Sequence, residues 1–276
     1  MKNTRAIILL LLILTAAGTT QTRWKRAEPS PTELQLFHSM HAASLPTAET
    51  MKKGNWAFEI SHRFSSTIDE GSQVFWGFDG PANIRLALGY GVSNKLYVLV
   101  GRTNVNDNIE LVAKYKALEW RNETMPVLLS VRGGVAYNGE VFAPVENDSR
   151  LYQFYMQAIT NTMWQKKLGI GIVPTYLHNA YIFGSDVEYS FTLGSYAQYY
   201  VSPRLSFFVE WNPTIDGWQQ DYNSLALGLE LETGGHFFKV FLSNNDRVNT
   251  SQFIAGANKR VSDGEFRFGF LITRTF

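Results

Sequence analysis

From Asn55 onward the chain alternates apolar and polar positions in runs of roughly ten residues, the length a tilted strand needs to cross a bilayer. Trp56, Phe58 and Ile60 alternate with Ala57, Glu59, Ser61 and Arg63, and Ile84, Leu86, Leu88 and Tyr90 with Asn83, Arg85, Ala87 and Gly89. Val187, Tyr189, Phe191 and Leu193 alternate with Glu188, Ser190, Thr192 and Gly194. A period of two marks strands with two unlike faces. Twelve such segments are predicted, at 55–65, 82–92, 95–104, 108–119, 126–138, 151–163, 167–178, 186–200, 203–212, 222–233, 235–244 and 264–276. The last carries Phe266, Phe268, Phe270 and Ile272 in register, is interrupted by Arg274, and ends on Phe276.

The connections sort by parity. Counting from the first, the odd ones span 66–81, 104–107, 139–150, 179–185, 213–221 and 245–263, and most are long. The even ones, 93–94, 120–125, 165–166, 202 and 234, are nearly all tight. Long loops at one end and short turns at the other distinguish a membrane barrel from a β-sandwich. The expected fold is therefore all-β, an antiparallel transmembrane barrel of about 12 strands, whose apolar faces meet outer-membrane lipid. Tryptophans agree with it: Trp56, Trp120 and Trp164 fall at strand ends on the turn side, Trp211 and Trp218 towards the loop side, and Trp76 in the first long loop. Membrane barrels carry aromatic girdles at both interfaces.

The amino terminus adds the route. Lys2 and Arg5 precede the apolar run Ala6 to Leu14, and Thr15-Ala16-Ala17-Gly18 supplies small residues for cleavage, so 1–22 reads as a secretory signal peptide. The run is shorter than the about 20 residues a spanning helix requires. Residues 23–53 form an amino-terminal periplasmic segment, and 54–276 the outer-membrane barrel. Within the segment, Ser30-Pro31-Thr32-Glu33 has the form of a capping box, with Leu34, Phe37 and His41 following at helical spacing. The segment is thus short and either helical or extended, and either plugs the barrel from below or tethers it. Phe276 is the expected signal to the barrel-assembly machinery.

Composition narrows the classes. There are no cysteines, which removes disulfides, thiol catalysis and thiolate metal sites. The formal charge of +1 becomes −1 once Lys2 and Arg5 leave with the signal, which gives no electrostatic basis for nucleic-acid binding. The polar faces are rich in mixed charge: Glu59, Arg63, Arg85, Glu110, Lys114, Arg132, Glu188, Glu210 and Glu230 form a candidate ionic cluster in the lumen, with Lys116, Glu232, Lys239 and Arg267 of the same parity. Mixed signs favour mutual pairing over a field that selects one ion.

Catalytic arrangements find little support. Ser61 and His62 are neighbours on opposite strand faces, and His178 and Asp186 flank one long loop without an evident nucleophile. His38 and His41 at i,i+3 would share a helix face, which makes a weak metal site at best. No catalytic residue, cofactor or metal is assigned, and an enzyme is not expected.

A resemblance supports the architecture. Leu45-Pro46-Thr47-Ala48-Glu49-Thr50, Ile60-Ser61-His62-Arg63-Phe64, Phe78-Asp79-Gly80-Pro81-Ala82-Asn83-Ile84-Arg85 and Tyr90-Gly91-Val92-Ser93-Asn94-Lys95-Leu96 resemble a bacteroidete-type family of outer-membrane β-barrels of unknown function. The resemblance implies a barrel and transfers no reaction. Three functions stay open: passage of a small solute or envelope transport, a closed structural barrel that binds an envelope partner, and, third, an outer-membrane hydrolase.

Overall fold

The computed structural model describes residues 33–276 other than 142, 143, 145, 147 and 185. The signal peptide and the first part of the capping box lie outside the described residues. Among the described residues thirteen strands form one antiparallel sheet: β1 Trp56–Phe64, β2 Ala82–Gly91, β3 Leu96–Thr103, β4 Asn108–Trp120, β5 Val127–Asn138, β6 Tyr152–Trp164, β7 Leu168–His178, β8 Tyr189–Tyr200, β9 Leu205–Asn212, β10 Thr214–Gly217, β11 Ser224–Glu232, β12 His236–Ser243 and β13 Arg267–Thr275. Each barrel strand pairs with its neighbour in sequence, and β13 returns to β1, with Ala57 opposite Thr275 and Arg63 opposite Gly269. The result is a closed barrel of twelve strands, with the short β10 added alongside β8 alone.

The short β10 departs from the expected loop at 213–221. It pairs with the start of β8, while β9 pairs with the end of the same strand. One polypeptide run therefore continues along β8 on both sides of Pro213, which has no N–H to give to a ladder and interrupts it there. Both chain ends of the barrel lie together, where Trp56 N donates to Phe276 O at 2.8 Å and Phe276 N returns to Trp56 O at 3.0 Å. The tight turns share that end. The long connections gather at the other, and the last of them, 244–266, contains the single-turn helix α1, Thr250–Phe253.

The two faces separate as the alternation predicts. Phe58, Leu88 and Phe191 are exposed on the outside, whereas Glu59, Ala87, Arg85, Ser190 and Thr192 are buried within. In water such a surface would be an aggregation hazard; in a bilayer it is the lipid contact. Leu88→Arg is accordingly expected to destabilise the barrel by about 2–4 kcal/mol, and Val92→Arg beside the turn by about 0–1. Urea unfolding from lipid vesicles measures both, and equal costs at the two positions would contradict the placing of Leu88 at depth.

Glu188 is a correction. It keeps the parity of the lumen face but precedes β8 and is exposed, so it does not join the ionic cluster. Its carbonyl, which accepts from Ala180 N at 2.8 Å, closes the 180–188 loop before the strand enters the wall.

Candidate functional site

The lumen is filled, and from both ends. From the end that holds the termini, residues 34–53 run into it without forming the helix expected over 30–41. The cause lies in their hydrogen bonding. Leu36 N and Phe37 N donate to the Glu49 carboxylate at 2.7 and 3.0 Å, which occupies donors that a helix would leave to its own turns. The chain then folds into a narrow hairpin: Ala42 N donates to Leu45 O at 2.8 Å, Thr47 N to Met40 O at 2.9 Å, and the Thr47 hydroxyl to Ser39 O at 2.7 Å.

Side chains of the wall hold that hairpin chiefly by its backbone. At the tip, Ala43 N, Ser44 N and Leu45 N all donate to one oxygen of Glu210 on β9, at 2.9, 2.9 and 2.8 Å. Lys114 Nζ on β4 donates to Thr47 O at 3.0 Å, the Ser130 hydroxyl on β5 to Ala48 O at 2.6 Å, and Tyr196 OH on β8 to Pro46 O at 3.1 Å. Asn161 on β6 accepts from Ala48 N at 2.7 Å. Lys239 on β12 donates to the carbonyls of Ala42 and His41, and Glu230 on β11 accepts from the Ser39 hydroxyl at 2.8 Å. Two glycines of the wall make room for side chains of the hairpin. A Cβ at Gly169 would lie 2.6 Å from the Phe37 ring, and one at Gly194 2.7 Å from Leu45.

From the opposite end, the 244–266 connection folds inward and seats α1 against the same wall. Ser251 N donates to Glu110 at 2.7 Å, Arg132 to the Thr250 hydroxyl at 2.9 Å, and Asn212 Nδ2 to Ile254 O at 2.9 Å. Asn249 accepts from Arg85 Nε at 2.8 Å. Between the two inserts remains a void of about 10 Å³, bordered by His41, Ala43 and Ser44 below and by Val248 and Thr250 above. That is space for about one water molecule.

The predicted ionic residues, Glu188 apart, stand on this wall, all buried. Arg85 Nη1 lies 2.9 Å from Glu59, and Lys239 Nζ 2.9 Å from Glu230. Arg63 instead donates to the Ser44 hydroxyl of the hairpin at 2.9 Å. The expected cluster is thus divided into pairs and single side chains, each engaged with an insert. His38 and His41 do not share a face: His38 lies 3.3 Å from Glu232 and His41 3.3 Å from Glu59. Burial lowers the His41 imidazole's pKa, while the Glu59 carboxylate beside it pulls the other way.

Sequence reasoning missed the aromatic half of the lumen and the inward loop. Arg63 lies 4.1 Å from the ring centre of Phe241, Arg132 5.2 Å from Tyr155, Lys239 5.3 Å from Phe208 and Lys114 5.7 Å from Tyr97. Tyr155 and Tyr97 stand on strands adjoining those of their cations, so strand pairing would have put them together, whereas Phe241 and Phe208 each reach their cation across one intervening strand. The loop's signal was its composition: Val248, Phe253, Ile254, Ala255 and Ala257 are too apolar for a solvated connection, and Asn244, Asn245 and Asn249 supply amides that tie a folded-in backbone. Asn245 Nδ2 alone reaches Ser224, Phe253 O and Gly256 O.

A family model described as "Membrane bound beta barrel domain (DUF5777)" matches residues 37–276. No curated protein matches the chain. Among solved structures, an outer-membrane channel from Pseudomonas putida F1 shares 16% identity at a TM-score of 0.49, over 83% of this chain and 98% of its own. The NanC porin shares 12% at 0.46, over 80% and 98%. The outer-membrane protein Omp33 of Acinetobacter baumannii shares 10% at 0.43, over 80% and 98%. Similarity this low says nothing about what a lumen carries.

Proposed function

This chain belongs to that family of membrane-bound β-barrels, and from that premise we propose that it is an outer-membrane barrel for a small solute, shut at rest by its own amino-terminal hairpin. The termini and tight turns then face the periplasm, and Phe276 is the residue that the assembly machinery takes up. One observation carries the reading: the wall holds the hairpin's backbone through hydrogen bonds, as at Glu210, beside the packing of its buried Phe37 and Leu45. Such bonds exchange with water at a modest net cost of about 0.5–1.5 kcal/mol each, roughly 1.5–3 where one partner is charged. A plug held in this way can leave the lumen and leave a polar passage behind it.

Planar-bilayer conductance tests the proposal. The full chain is expected to give rare, small openings. Removal of residues 24–50 is expected to give frequent ones, and they should grow when a glycine-serine linker also replaces 247–256. Retention of the barrel in both variants is checked by the mobility shift of the unheated protein on a denaturing gel. If folded variants stay as closed as the full chain, the protein is a structural or partner-binding barrel.

A further inference from the structure

At the loop end, above α1, a cavity of about 200 Å³ opens between the 180–183 segment, Trp218 and the inward-folded loop. It takes no part in holding the hairpin. Its wall is an aromatic platform: Tyr181 stacks on Trp218 with ring centres 5.0 Å apart and planes 25° from parallel, and Phe183 meets Tyr181 edge-on at 5.8 Å. Its floor is polar and incompletely bonded. Gln252 gives its Nε2 to Val105 O at 2.9 Å, and Ser251 its backbone N–H to Glu110. The Gln252 Oε1 and the Ser251 hydroxyl are buried and find no hydrogen-bond partner among the described residues. Leaving such groups unpaired is costly, and within a cavity they mark where a ligand's polar atoms belong.

The chemistry required of the occupant is specific. It must offer an apolar face to an aromatic plane and, along its edge, hydroxyls that can donate to an amide oxygen and exchange bonds with a serine. It must also be small, since cavities for drug-sized ligands run from about 300 Å³ upward. It should carry no net charge, because Arg247 at the rim is already paired with Asp246 at 3.4 Å. We propose that this cavity binds a single neutral pyranose ring, with its C–H face against the stacked Tyr181–Trp218 pair and its hydroxyls on Gln252 and Ser251. The site does not depend on movement of the hairpin, so it can stand if the gating proposal fails.

Calorimetry of the full-length protein in a detergent with a non-sugar head group tests it, using the methyl glycosides of glucose, galactose, mannose and N-acetylglucosamine as probes, with glucuronic acid for contrast. At least one neutral glycoside is expected to give saturable heats. Trp218→Ala and Gln252→Ala should each weaken that binding about tenfold or more. A barrel melting point that stays near wild type in both variants shows that the loss is local. Absence of saturable heats for all four neutral probes overturns the proposal. So does binding that survives Trp218→Ala, or a preference for glucuronic acid over every neutral ring.

Discussion

Replacing Arg85 with alanine is expected to lower the unfolding free energy by about 3–5 kcal/mol, because it strands Glu59 as a buried charge without a cation. Glu59 is wholly buried, and water has about one molecule's room beside it. The substitution also frees Asn249, whose amide oxygen accepts from Arg85. Urea unfolding from lipid vesicles, followed by tryptophan fluorescence, measures the loss. Arg102→Ala serves as control: Arg102 pairs with Asp107 on the outside, where an exposed ion pair contributes about 0–1 kcal/mol. Adding Glu59→Gln to Arg85→Ala should recover part of the stability by removing the stranded charge. Equal, small effects from Arg85→Ala and Arg102→Ala would mean that the lumen is wet.

The second large effect is expected at Glu210. Its one oxygen accepts three backbone N–H groups at the hairpin tip, and bonds of this kind to a charged acceptor are each worth roughly 1.5–3 kcal/mol. Glu210→Ala removes all three. Because one oxygen serves them jointly the values do not add, but a loss near 3 kcal/mol still raises the open population about a hundredfold. A cysteine placed at Ser44 reports it: labelling by a water-soluble maleimide should be slow with Glu210 present and about a hundredfold faster with Glu210→Ala. Glu210→Gln keeps a carbonyl acceptor without the charge and should fall between them. Unchanged labelling in Glu210→Ala would show that the tip is held by its side chains.

The wall was legible in the sequence because one rule governs it. Strand residues alternate between lipid and lumen whatever lies further away, so Phe58 and Glu59, or Leu88 and Ala87, declare their faces locally. The contents of the lumen obey no such local rule. The hairpin is set by contacts across 113 residues for Ala48 and Asn161, and across 167 for Ala43 and Glu210. The helix expected as far as His41 does not form there, because the Glu49 carboxylate takes the N–H groups of Leu36 and Phe37. Glu188 shows the same limit on a small scale: parity gave its face, but only the end of β8 decides whether a wall exists at that height. At the remaining charged positions alternation gave the buried face, while their division between two inserts depended on folds that alternation does not encode.

The hairpin that fills the lumen is bonded by side chains from β1, β4, β5, β6, β8, β9, β11 and β12. A slip of one residue in any of these strands would turn its lumen side chain towards lipid and take at least one bond from the hairpin. Eight separate pairings are thereby compared at a single place, and the twenty-odd residues that close the passage also act as an inspector of assembly: only a wall in correct register can seat them fully.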